Sequence, residues 1–201
     1  MASAGEDVQT SEFGELILAE RNLESLPTTV AQKCGGRTTL LNLTDNCLQS
    51  AENLHLFTRL ETLILDKNGL DSLDWCCPVP TLKTLYFNNN CVSDLPKFLA
   101  SVSKLFPELE YLSMMRNPCC PAFWNIKKNE QREYRRHREF VISQLPQLVF
   151  LDATPVSDEE REVAMRRGKF LGKRAKPTPK KRSVEAGAAT AKHKQYAEKV
   201  S

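Results

Sequence analysis

LETLILDKNGL at residues 60–70 and LKTLYFNNNCV at residues 82–92 are two copies of one frame, L-x-x-L-x-L-x-x-N-x-L. A third copy, LEYLSMMRNPC at residues 109–119, keeps every slot and places Met114 and Cys119 at apolar ones. Upstream, Leu41, Leu43, Asn46 and Leu48 fit without the leading leucine, and Leu16, Leu18 and Leu23 fit with Arg21 in the asparagine slot. The slot asparagines Asn46, Asn68, Asn90 and Asn117 are 22, 22 and 27 residues apart. Five units at a near-constant period indicate a stacked array in which each unit buries its apolar face against its neighbours.

The spacing has a physical reading. Alternating L-x-L makes a short strand with one face buried, and the flanking leucines pack between that strand and the returning segment. Each asparagine is expected to hydrogen-bond turn backbone that would otherwise be buried unpaired. The fold class is therefore α/β: a leucine-rich-repeat solenoid with a curved parallel sheet, helical convex segments and a C-terminal helical cap. The longer step from Asn90 to Asn117 fits a helical insert, because Leu95, Phe98, Leu99, Val102, Leu105 and Phe106 recur at helical intervals after Asp94.

An exposed last repeat would leave a sheet edge bare, so a terminal cap is expected. Residues 129–146 supply an amphipathic helix with Tyr134, His137, Val141 and Leu145 near one face, and Leu148 and Leu151 add a half-repeat before Asp152. Ser157 and Glu160 form a capping-box pattern at a further helix start, and Gly168 reads as the residue just past that helix's end. The predicted organisation is residues 1–12 disordered, 13–118 five repeats, 119–168 cap, and 169–201 a basic, disordered tail.

The strand frame sets which side chains face outward on the concave surface, where such arrays usually bind. These are Ile17 and Ala19; Asn42 and Thr44; Thr62, Ile64 and Asp66; Thr84, Tyr86 and Asn88; and Tyr111, Ser113 and Met115. Ile64, Tyr86, Tyr111 and Met115 stand out as anchors, because apolar and aromatic groups mixed with polar ones are what a binding patch presents.

Charge is uneven. From Arg166 to Ser201 there are 12 Lys+Arg against 2 Asp+Glu, which leaves 16 against 23 in residues 1–165. The basic residues Arg166, Arg167, Lys169, Lys173, Arg174, Lys176, Lys180, Lys181 and Arg182 stand among no acids. Three readings stay open for them: a nuclear import signal, contact with nucleic acid or an anionic membrane, and a solubilising tail.

The seven cysteines include the adjacent pairs Cys76-Cys77 and Cys119-Cys120 and lack the spacing of a bridged framework, so reduced thiols are expected. Cys47 and Cys91 occupy equivalent places two repeats apart and read as small packing residues rather than a disulfide. No metal site is expected, because His55, His137 and His193 stand near no cysteine group in the sequence. No cofactor or small-molecule substrate is expected either: Cys34-Gly35-Gly36 is too short for a phosphate loop, and no nucleophile and base are brought together by the frame. With no membrane-length apolar run and no signal-like start, the expected location is the cytoplasm, with the nucleus also open.

The cap residues carry a resemblance. Arg116-Asn117-Pro118, the Tyr/Arg-rich helix and PQLVFLD at 146–152 are similar to the caps of the A-prime protein of a spliceosomal ribonucleoprotein and of acidic nuclear phosphoproteins. Residues 60–70, 82–95, 107–118, 140–153 and 159–170 resemble the leucine-rich melanocyte differentiation-associated family more closely, over the span 60–176. That resemblance implies a non-enzymatic adaptor, tied to pigment-cell differentiation and to trafficking toward lysosome-related organelles; a monomer is expected. The alternatives are a nuclear ribonucleoprotein scaffold and a ciliary or cytoskeletal scaffold.

Overall fold

The computed structural model describes residues 10–50, 52–121 and 128–171. The predicted tail residues Lys173, Arg174, Lys176, Lys180, Lys181 and Arg182 lie outside them, as does most of the N-terminal segment.

Seven strands form one sheet in sequence order: β1 (Glu15–Ile17), β2 (Leu40–Asn42), β3 (Thr62–Ile64), β4 (Thr84–Tyr86), β5 (Tyr111–Ser113), β6 (Phe150–Leu151) and β7 (Thr154–Pro155). The first six run parallel, and β7 turns back antiparallel on β6. The register aligns Leu16, Leu41, Leu63, Leu85, Leu112 and Leu151 in one row, all buried. Leu18, Leu43, Leu65, Phe87 and Met114 line the core two residues further along each unit. Each of these side chains contributes about 2 kcal/mol by leaving water, and none could do so in an isolated repeat.

The segments opposite the sheet vary. The first unit returns through helix α1 (Thr28–Cys34) and a 3-10 turn, the second through a 3-10 turn at Glu52–Leu56, and the fourth through helix α2 (Leu95–Leu105). Helix α2 starts where the sequence indicates: the Asp94 carboxylate accepts from the Lys97 N–H at 3.0 Å, and proline stands in the first turn. Its Phe98 ring meets Phe87 at 5.0 Å, joining helix to sheet.

The four slot asparagines tie the units together. The Asn90 carbonyl accepts from Asn68 N and Leu70 N at 3.0 Å each, while its Nδ2 donates to Leu65 O at 2.9 Å and Asn88 O at 3.3 Å. Asn46 accepts from Arg21 N and Leu23 N and donates to Leu18 O and Leu43 O. Asn68 and Asn117 repeat the arrangement toward Leu48 N and Val92 N. The residue before each asparagine, Asp45, Lys67, Asn89 or Arg116, takes a left-handed conformation with φ of 54–59° and turns the chain so that the amide points inward. Each asparagine therefore serves the preceding unit as well as its own. Among the described residues no unit precedes the one that holds Arg21, and Arg21 is exposed.

The cap consists of helix α3 (Lys128–Gln144), the hairpin β6–β7 and helix α4 (Asp158–Leu171). His137 and Val141 on α3 and Leu145 just past its end are buried as expected, together with Arg138, Phe140 and Ile142 on the helix. The capping box at α4 is formed: the Glu160 N–H donates to Ser157 Oγ at 3.1 Å, and the Ser157 N–H to Glu160 Oε2 at 3.4 Å. Gly168 departs from its predicted role. It lies inside α4, which runs on to Leu171, and it is buried where a Cβ would overlap the Ser143 side chain. The glycine lets α4 pack against α3 instead of ending the helix.

Cys47 and Cys91 also depart from expectation. Both are exposed free thiols, not packing residues, because the turn that buries the neighbouring asparagine points the next side chain outward. None of the seven cysteines, all among the described residues, is joined in a disulfide. No helix among the described residues is long and apolar enough to cross a membrane.

Candidate functional site

The parallel register places the outward side chains in columns. One holds Glu15, Leu40, Thr62, Thr84, Tyr111 and Phe150; the next holds Ile17, Asn42, Ile64, Tyr86 and Ser113. Across β4, β5 and β6 these columns bring three rings together. Tyr86 and Tyr111 lie 5.0 Å apart between ring centres, and Tyr111 stacks on Phe150 at 5.9 Å and 27°. Such spacings fall in the range of favourable aromatic pairs.

The Tyr111 hydroxyl donates to Asp152 O at 3.0 Å, which fixes the middle ring. Burial, and Tyr86 beside it, push the Tyr111 phenol up to about 12, so it stays a neutral donor at physiological pH. Tyr86, Tyr111, Thr62, Ile64 and Thr84 are half-buried, while Phe150 is 40% exposed and Ile17 51%. The result is a ridge of fixed rings flanked by short side chains. Phe150 was missed by the sequence reading, although the frame contains its signal: it precedes Leu151 as Tyr111 precedes Leu112.

The expected polar residues divide. Asp66 accepts from Asn88 N at 2.7 Å and from Asn88 Nδ2 at 3.2 Å, and the Asn88 carbonyl accepts from Ser113 Oγ and Met115 N, both at 2.8 Å. Asn88 and Ser113 are buried, so they hold neighbouring strands in register and offer no contact surface. Asn42 accepts from Thr44 N at 2.9 Å and remains half-buried. Met115 is half-buried beside this network. Arg166 and Arg167, the first basic residues, lie exposed on α4, and Arg167 Nη1 comes within 3.9 Å of Glu139 Oε1.

The cap presents a second cluster. Although His137 and Cys120 are 17 residues apart, the fold brings a ring nitrogen of His137, Cys120 Sγ and a carboxylate oxygen of Asp152 within 4.8 Å of one another. Sequence distance concealed this proximity, because α3 folds back over the turn that follows Asn117.

The leucine-rich repeat profile matches residues 22–182. The chain is 42% identical over 124 residues to the human leucine-rich melanocyte differentiation-associated protein, covering 61% of this chain and 62% of that one. It is 37% identical over 123 residues to the U2 small nuclear ribonucleoprotein A′ of Mycosarcoma maydis, covering 60% of this chain and 44% of that one. The chain thus spans less than two thirds of either relative. A chain in the crystal structure of the Drosophila melanogaster SNF/U2A′ complex superimposes with a TM-score of 0.58 at 26% identity, over 79% of this chain and 86% of that one. With the repeat frame, the asparagine ladder and the profile match in agreement, this chain belongs to the leucine-rich repeat family.

Proposed function

We propose that the protein is a non-catalytic adaptor that holds a protein partner on the outward, concave face of its sheet. The observation carrying this reading is the ridge Tyr86–Tyr111–Phe150, whose rings are fixed by stacking and by the Tyr111 hydrogen bond yet keep exposed surface. Rigid aromatic groups give a partner large contact area at little cost in conformational entropy. Ile64 and Met115 extend the patch, and Thr62, Thr84, Asn42, Thr44 and Asp66 frame it. The basic residues from Arg166 onward serve a second contact, with an anionic surface or nucleic acid.

Likeness to the human leucine-rich melanocyte differentiation-associated protein supports a role in melanocyte differentiation, and trafficking toward lysosome-related organelles in the cytoplasm is the further part of this proposal. A second reading, a nuclear ribonucleoprotein scaffold, is favoured by the structural likeness to a chain of the SNF/U2A′ complex. Tagged full-length protein, captured with its partners with and without RNase, separates the two. Tyr86→Ala should weaken binding of the captured partner by about 2 kcal/mol, roughly thirtyfold in affinity, while the lost ring contact with Tyr111 lowers the melting temperature by only a few degrees. Trafficking proteins lost in the variant and indifferent to RNase support the adaptor, and splicing proteins lost with RNase support the alternative. A partner list untouched by Tyr86→Ala places the binding surface elsewhere.

A further inference from the structure

We propose that Cys120, His137 and Asp152 form a binding site for a zinc-class divalent ion, which fastens the cap to the last repeat. The three residues come from separate elements: the turn after Asn117, helix α3 and the turn that joins β6 to β7. Their donor atoms lie within 4.8 Å of one another. A triangle with sides of that length has its centre about 2.8 Å from each corner (4.8/√3), against roughly 2.0–2.3 Å for zinc bonds to nitrogen, oxygen and sulfur. Side-chain adjustments of about half an ångström would close the difference.

A second observation points to a ligand. His137 is only 6% exposed, and its Nε2 is buried without a hydrogen-bond partner. Buried polar atoms of this kind are rare because each forfeits its bond to water without replacement. Thr10 Oγ1 shares that condition among the described residues, but it stands at the beginning of the described chain and has no such cluster around it.

The donor set suits the ion. An imidazole with one ring nitrogen unprotonated offers that nitrogen's lone pair to the ion. The Asp152 carboxylate is held in place, since Oδ1 accepts from Met114 N and Oδ2 from the Tyr134 hydroxyl, both at 2.9 Å, and each oxygen retains a lone pair. The Cys120 thiol donates to Pro121 O at 3.7 Å, a weak bond readily surrendered. Binding the ion releases the thiol proton to solvent and leaves a thiolate, imidazole and carboxylate around the metal, with a water or other donor in the fourth place. Thiolate and imidazole together select zinc-like ions over magnesium and calcium.

The test uses the full-length chain, stripped with a chelator under reducing conditions and titrated with Zn²⁺ and with Co²⁺ as a spectroscopic probe. One equivalent should bind, and Zn²⁺ at a hundred times its dissociation constant should raise the melting temperature by roughly 5–10 °C. Co²⁺ should produce a thiolate-to-metal charge-transfer band that disappears in Cys120→Ser, a variant that changes one atom on a partly exposed side chain. His137→Gln should weaken the metal at least tenfold, and if that variant fails to fold, the Cys120→Ser spectrum decides alone. A missing charge-transfer band, or one that persists in Cys120→Ser because Cys76 and Cys77 bind instead, overturns the proposal. So does an equal thermal shift in wild type and Cys120→Ser.

Discussion

The repeat stack and the cap solve the same problem, buried backbone groups at the boundary between layers, with different chemistry. Between repeats the solution is neutral and periodic: one asparagine amide per boundary, placed by the same left-handed turn at Asp45, Lys67, Asn89 and Arg116. In the cap it is ionic. Arg138, 5% exposed, pairs with Glu160 through Nε at 2.7 Å and Nη2 at 2.9 Å, and also donates to Leu151 O and Pro155 O. A repeat can reuse a neutral bond at every boundary because each boundary has the same shape. A terminus has a unique shape and needs a side chain long enough to reach helix α4 and both strands of the hairpin at once.

The largest effect should come from breaking the periodic device in its interior. Asn90→Ala removes four hydrogen bonds and leaves Asn68 N and Leu70 N inside without partners, at a cost of about 4 kcal/mol in unfolding free energy. Chemical denaturation measures it. A loss below about 1 kcal/mol would mean that water replaces the amide and that the ladder is not what joins the units.

Arg138→Met should be the next most harmful, at about 3 kcal/mol, because it strands the Leu151 carbonyl and leaves Glu160 without its cation. The same pair gives the cap an acid dependence. The hydrogen bonds from Arg138 hold the Glu160 carboxyl below its ordinary value of 4.5. A lowered folded value stabilises the protein above the unfolded value of 4.5, and that contribution is lost as pH falls from 4.5 through the folded value. Unfolding curves between pH 6 and 3 should therefore lose this component in Glu160→Gln, whereas Asn90→Ala should keep it. If both variants show the same acid limb, the pair is not the source.

Gly168→Ala probes the close approach of the two cap helices and should cost about 2 kcal/mol, since the new Cβ would overlap Ser143 and must push α4 away. Adding Ser143→Gly should recover most of the loss. Failure to recover would show that Gly168 matters through its own conformation and not through the contact.

These cases also mark what the sequence could disclose. Slot asparagines, strand register, helix α2 with its Asp94 cap, and the Ser157–Glu160 box follow from spacing, because each depends on neighbours at fixed offsets. Gly168 misled because a glycine after a helical pattern has the same local signature whether it ends the helix or admits another helix against it. Asn88 looked like surface since its alternation is right, yet the Asp66–Asn88–Ser113 network draws it in across three strands. Cys120, His137 and Asp152 share no period at all, and only the return of α3 over the last repeat joins them.

The smallest expected effect makes the sharpest test of what the asparagine does. If the residue merely favoured its own turn, Arg21→Asn would complete the first unit and stabilise it as Asn46 does the second. If its work is directed at the unit before, the new amide at position 21 has no earlier repeat loop among the described residues to accept from, and its own turn carbonyls remain within reach. Arg21 is exposed, and its own N–H is already taken by Asn46 Oδ1 at 3.1 Å. The expected change is therefore within about 0.5 kcal/mol, the size of an ordinary surface substitution. A gain above about 1 kcal/mol by denaturation would move the ladder's origin from the joint between repeats to the turn within each one.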